Sequence, residues 1–198
     1  YYWLDEKSSG KDVKILVKNS SGEVVANCDS SNKKASENRK PTSDEGLNRF
    51  VWDLTEDGPI SLDNSLKVMK YEPFSKEGGG PAGAKVEPGR YQIILSIDGN
   101  TTDHSLEVLS DPRIEVSEED FALQHNLYTS VAAKLSELHI AVNRIRLMKQ
   151  QLQNMHKIIP DESKTVDSLV EKLDMIEGQL IDTKRETPRD VLRHAAGF

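Results

Sequence analysis

The side chains best suited to chemistry in this sequence sit around one short run, Gly46-Leu47-Asn48-Arg49-Phe50-Val51-Trp52-Asp53-Leu54. An indole face beside a carboxylate, as in Trp52-Asp53, can stack on a sugar ring and bind its hydroxyls. Tyr71 and Tyr91 would extend such a platform. The plainer expectation is a core aromatic at the end of a strand, because Phe50, Trp52 and Leu54 alternate onto one face. Asp53, Glu56, Asp57 and Asp63 offer the oxygen ligands that calcium takes. Their spacing does not match an EF-hand loop, so solvated turn acids are the expected reading.

His125 and His139 are separated by fourteen positions, which on a helix puts them on nearly one face but about 21 Å apart. They cannot share a metal within one chain. His139 and Asn143 form an i, i+4 pair suited to a structural bond. Cys28 has polar neighbours and no nearby histidine in sequence, a poor setting for a catalytic thiol. As the single cysteine it excludes an intrachain disulfide. No HExxH, Walker loop or GxSxG is present. Gly78-Gly79-Gly80 lacks the Lys-Ser/Thr of a phosphate loop and reads as linker. Asn19-Ser20-Ser21 and Asn100-Thr101-Thr102 fit the glycosylation pattern without defining a role.

The elements that position these residues fall into two halves, divided near Asp111-Pro112-Arg113. In the first, Val13, Ile15 and Val17 alternate as a strand with one buried face. Ser20-Ser21-Gly22 turns it, and Glu23 to Ala26 returns. Residues 29–45 are polar loop. Leu47 to Leu54 reads as a strand, 55–87 as loop, and Tyr91 to Ile97 as a strand ending in the Asp98-Gly99 hairpin turn. Leu106 and Val108 complete a pattern of about six short strands, which predicts a β-sandwich over 1–112.

The second half, 113–198, changes period. Ser117 is placed to cap a helix whose first turn is acidic. Apolar residues then recur at steps of three and four to Met155, predicting one helix of about 40 residues, roughly 60 Å long. Pro160-Asp161-Glu162-Ser163 breaks it. Val166, Leu169, Leu173, Ile176 and Leu180 predict a second, shorter helix. Thr187-Pro188-Arg189-Asp190 marks the start of a third. A long helix with a narrow stripe must bury it, most simply in an antiparallel hairpin. Each buried Leu or Ile contributes about 1.5–3 kcal/mol. The length mismatch leaves stripe residues Leu135, Leu138, Val142, Ile145 and Leu152 as the expected interaction surface, covered by further helix or by a second copy. The expected fold class is α+β: an immunoglobulin-like antiparallel sandwich followed by a helical hairpin.

Composition limits the partners. A net charge of -7 and a pI near 5.3 argue against nucleic acid. Lys33-Lys34 with Arg39-Lys40 is the densest basic cluster, and it lies in a polar loop. No apolar run approaches the roughly 20 residues of a membrane span. No signal peptide is present, and the opening Tyr1-Tyr2-Trp3-Leu4 reads as a strand, so a fragment of a longer protein is expected.

Tyr1-Tyr2-Trp3-Leu4, Gly46 to Leu54, Pro88-Gly89-Arg90-Tyr91, Asp98-Gly99 and Asp111-Pro112-Arg113 occur in an order that resembles the C-terminal region of bacterial sortilin-like β-propeller proteins. Those proteins carry BNR/Asp-box repeats and are often labelled glycosyl hydrolase or sialidase-like. Leu135-Ser136-Glu137-Leu138-His139 and Asn143-Arg144-Ile145-Arg146 are similar to their helical tail. The pair of Trp52-Asp53 and Pro88-Gly89-Arg90-Tyr91 is also similar to the immunoglobulin-like domain of the flagellar hook-capping protein. The 55–87 segment is longer than the family pattern. The resemblance implies a propeller before Tyr1, more helix after Phe198, and export to the periplasm or cell surface. It supplies no active site here, since no Asp-box motif occurs in the chain. The expectation is a non-catalytic accessory and assembly module, with no catalytic residue, cofactor or metal. It would contact the propeller, self-associate through its helices, and have neither a nucleic-acid partner nor a membrane span. The alternative is a carbohydrate-binding module using the Trp52/Tyr91 region.

Overall fold

The computed structural model describes residues 1–32, 39–66, 82–158 and 163–183. Among these residues two antiparallel sheets and two α-helices give an α+β fold. Strands β1 (Tyr2–Leu4) and β4 (Gly46–Asn48) form a two-stranded sheet. Strands β2 (Val13–Lys18), β3 (Val24–Asp29), β5 (Gly89–Ile97) and β6 (Asn100–Val108) form a four-stranded sheet in the order β3-β2-β5-β6. The helices are α1 (Glu118–Ile158) and α2 (Ser163–Leu180).

The chain divides into two compact units that interleave in sequence. The first holds Tyr1–Asp57 and Gly83–Thr129, and the second Gly58–Ala82 and Ser130–Phe198. The change of period near residue 112 therefore lies inside the first unit.

The first unit is built on alternation. Val13, Ile15 and Val17 of β2 are buried while Lys14 between them is exposed. Ile15 stands opposite Leu95 and Val17 opposite Ile93, so apolar side chains meet on one face. Val17, Val25, Ala26, Val86 and Tyr91 form the core, with Trp52, Ile93 and Val108 packed against it. The β5–β6 hairpin closes through Asp98 (φ 51°) and Gly99 (φ 85°). Two successive positive φ values give a turn whose twist matches the strands.

The expected aromatic strand from Leu47 to Leu54 is regular only as far as Asn48. Leu54 takes a φ of 57°, which a ladder does not accommodate. The segment is instead held by side chains. Trp52 Nε1 donates to the Thr55 carbonyl at 2.9 Å. Arg39 donates to the carbonyls of Thr55 at 2.8 Å and Glu56 at 2.9 Å. The described residues of the 55–87 segment include a short 3-10 turn, Asn64–Leu66, and a bridge between Thr55 and Lys85.

α1 starts as its sequence predicts. Ser117 Oγ accepts from the Asp120 amide at 3.1 Å, and Asp120 Oδ2 accepts from the Ser117 hydroxyl at 2.7 Å, a reciprocal cap. In the second unit, contacts between α1 and α2 run in opposite senses. Arg146 and Lys149 meet Glu177, and His156 meets Asp167. Gly78-Gly79-Gly80, Tyr71, Lys33-Lys34 and the expected third helix lie outside the described residues.

Candidate functional site

Among the described residues, several of those singled out for chemistry are held by bonds within the fold. In the first unit, Trp52 and Tyr91 meet edge to face, with ring centroids 5.7 Å apart. Trp52 is half-buried and Tyr91 is buried. The Tyr91 hydroxyl donates to the Glu87 carbonyl at 2.7 Å, and burial pushes the phenol pKa up. Both polar handles are thus spent on backbone, and the indole face lies against core side chains.

The four acids do not converge. Asp53 accepts from the Thr55 amide at 3.2 Å and from its hydroxyl. Burial pushes the Asp53 carboxyl up, but the Thr55 bonds and the charges of Arg39 and Lys85 hold it below the usual range. Asp57 accepts from Arg39 at 2.7 Å and from the Asn27 amide at 3.0 Å, yet burial outweighs these and raises its pKa. Glu56 pairs with His125 Nε2 at 2.8 Å. In the second unit, Asp63 caps the 3-10 turn through the Ser65 amide at 2.9 Å. Among the described residues no three His, Cys, Asp or Glu side chains gather around one point. Cys28 is buried, and desolvation pushes its thiol pKa up, which disfavours the thiolate.

The first unit does contain an open apolar cleft of about 650 Å³. One wall is the sheet, with Ile93, Leu95 and Leu106, and the other is the irregular segment carrying Phe50, Trp52 and Leu54. The two-stranded sheet adds a second apolar surface. Trp3 and Leu47 stand opposite each other and are 70% and 67% exposed. Sequence reading placed Trp3 in an opening strand without assigning its face, although alternation of Tyr2, Trp3 and Leu4 turns Trp3 away from its two neighbours.

In the second unit the expected interaction stripe is divided. Val142 and Ile145 are buried, while Leu135, Leu138 and Leu152 are half-buried. Met148 and Met155, on either side of Leu152, are exposed. On α2, Leu169, Ile176 and Leu180 are exposed at near-heptad spacing. Between the helices lies a polar cavity of about 460 Å³ bordered by Arg146, Lys149, Asp174 and Glu177. Arg146 Nε donates to Glu177 at 2.7 Å, and Lys149 Nζ donates to Glu177 at 2.5 Å and to Asp174 at 2.7 Å.

A third feature was read only in part in the sequence. Ser136, His139 and Asn143 form a polar row along α1 that binds an extended stretch of backbone. Ser136 Oγ accepts from the Ile60 amide at 3.1 Å, and His139 Nδ1 donates to the Ile60 carbonyl at 2.5 Å. Asn143 accepts from the Asp63 amide at 2.9 Å and donates to the Ser61 carbonyl at 3.2 Å. His139 and Asn143 were expected to bond within the helices, and both reach the 60–63 segment. The signal was available as three polar residues at i, i+3 and i+7.

No family model, curated protein or solved structure matches this chain.

Proposed function

We propose that this chain is a non-catalytic accessory and assembly module of a larger exported protein built around a β-propeller. In this reading the two sheets form an immunoglobulin-like sandwich. The helices form a hairpin that mediates packing or oligomerisation, with Leu135, Leu138, Val142, Ile145 and Leu152 in its seam. The Tyr91 hydroxyl bond to a carbonyl four residues upstream supports the sandwich reading, because it resembles the corner tyrosine of such domains. The opposed order of α1–α2 contacts supports the hairpin.

The observation that carries the assembly role is the apolar surface left over. The helix pair buries Val142, Ile145 and Val166 but leaves Met148, Met155, Leu169, Ile176 and Leu180 exposed. Scattered exposed apolar residues need no partner, whereas a stripe at helical spacing marks a docking face. Light scattering across a dilution series tests it. Self-association that is lost in Met148→Glu/Met155→Glu is the expected result. A clean monomer at high micromolar concentration overturns the helix-mediated assembly. The carbohydrate alternative at Trp52 and Tyr91 draws less support, since both polar atoms are bonded to backbone.

A further inference from the structure

Among the described residues strand β6 ends the four-stranded sheet and pairs on one side only. Ile97 stands opposite Asn100 across the two-residue turn, and the register continues to Gly89 opposite Val108. In an antiparallel ladder leaving such a turn, alternate residues turn their amides and carbonyls toward the partner strand. Asn100, Thr102, His104, Leu106 and Val108 therefore bond β5, and Thr101, Asp103, Ser105 and Glu107 direct theirs outward. No backbone bond takes up these outward groups among the described residues. Residues 100–105 are exposed throughout. One face of this edge opens onto the apolar cleft lined by Leu106, Leu95, Phe50 and Trp52. The opposite face carries Asp103, which accepts from Gln92 Nε2 at 2.9 Å, and Glu107, which stands opposite Arg90 of β5; β6 itself holds no Lys or Arg.

We propose that the β6 edge binds an extended segment of a partner protein in which apolar and basic residues alternate. The segment adds to the sheet as its next strand. Its backbone pairs with the outward groups of Thr101, Asp103, Ser105 and Glu107. Its apolar side chains enter the cleft beside Leu106, and its Lys or Arg side chains lie against Asp103 and Glu107. Charge selects this occupant over a second copy. Antiparallel pairing of two β6 strands sets Asp103 and Glu107 directly or diagonally against the same acids of the other copy, an unfavourable arrangement. The proposal is independent of assembly through the helices.

Amide hydrogen exchange tests it, using two synthetic peptides of β6 length that alternate valine with lysine or valine with glutamate. The lysine peptide is expected to slow exchange at Thr101, Asp103, Ser105 and Glu107, whose amides are open in the unbound protein. The glutamate peptide is expected to bind about fivefold more weakly or worse. Asp103→Lys/Glu107→Lys, on an exposed strand, is expected to reverse that preference. Absence of protection at millimolar lysine peptide overturns the proposal, as does equal binding of the two peptides. Protection that rises with protein concentration alone assigns the edge to a second copy and also overturns it. Should the double variant not fold, the comparison of the two peptides on the unaltered protein decides.

Discussion

Glu177→Ala should unfold the helix pair far more readily than any change on its surface. The Glu177 side chain is 1% exposed, as is that of Arg146, and Lys149 is 10% exposed. One carboxylate thus accepts two charge-assisted bonds, at 2.7 Å from Arg146 and 2.5 Å from Lys149. Hydrogen bonds to charged groups contribute about 1.5–3 kcal/mol each. Lys149 keeps Asp174 at 2.7 Å when Glu177 is lost, so its desolvation stays partly offset. Arg146 loses the carboxylate at its Nε while remaining buried. Breaking a buried pair in this way costs about 3–5 kcal/mol, which lowers the melting transition by roughly 6–20 °C. Urea denaturation followed by helical circular dichroism reads the loss directly. Arg146→Met/Lys149→Leu/Glu177→Leu, which removes all three charges together, should recover most of it, because a well-packed apolar replacement is often neutral or stabilising. A Glu177→Ala variant within about 0.5 kcal/mol of the parent would behave as a surface substitution and refute the reasoning. So would a triple variant less stable than the single one.

Three further outcomes follow from the geometry. A Cβ on Gly83 would lie 1.9 Å from the Glu56 carbonyl oxygen, and backbone cannot yield as a side-chain tip can. Gly83→Ala should therefore cost about 2 kcal/mol or more in chemical denaturation and abolish protection of the Glu56 amide, which bonds the Ala84 carbonyl at 2.8 Å. In Trp3→Phe the remaining fluorescence comes from Trp52 and should be blue-shifted and resistant to iodide. In Trp52→Phe the emission of Trp3 should be red-shifted and readily quenched, and equal quenching of the two would contradict the burial described. Burial pushes the Lys149 ammonium pKa down, but its bonds to Asp174 and Glu177 outweigh this and raise it. A raised pKa means that this group's contribution to stability is complete below the unfolded value near 10.4 and is lost as pH rises through the folded value. Unfolding free energy measured from about pH 9 to 12 should fall more steeply for the parent than for Lys149→Met. Parallel curves would show that the pair does not couple to folding.

The helices were legible because their information is local. Ser117 with its acidic first turn starts α1, the three-and-four spacing carries it to Ile158, and the run after Ser163 gives α2. The strands with a clean period of two, Val13–Lys18 and Gly89–Ile97, were legible for the same reason. Leu47 to Leu54 shows where local pattern misleads. Its alternation is strand-like, but Leu54 adopts positive φ and Arg39 binds the backbone of the next turn from a distant part of the chain. The candidate acids were expected to be turn acids rather than a calcium site, but their partners were not legible: Asp53 and Asp57 share Arg39, and Glu56 pairs with the distant His125.

Sequence alone determined the α+β character, the hairpin turn at Asp98-Gly99, the long helix and the acidic surface. Each follows from backbone preference or charge that a short window of residues already contains. Tertiary structure alone decided which members of an apolar stripe are covered, since Val142 and Met148 look alike in a periodic pattern and differ only in what packs on them. It also decided that Tyr91 faces inward while Trp3 faces outward, that Arg146 and Lys149 share Glu177, and that β6 stands at an edge. Those properties depend on contacts between residues far apart in the chain, which no local period encodes.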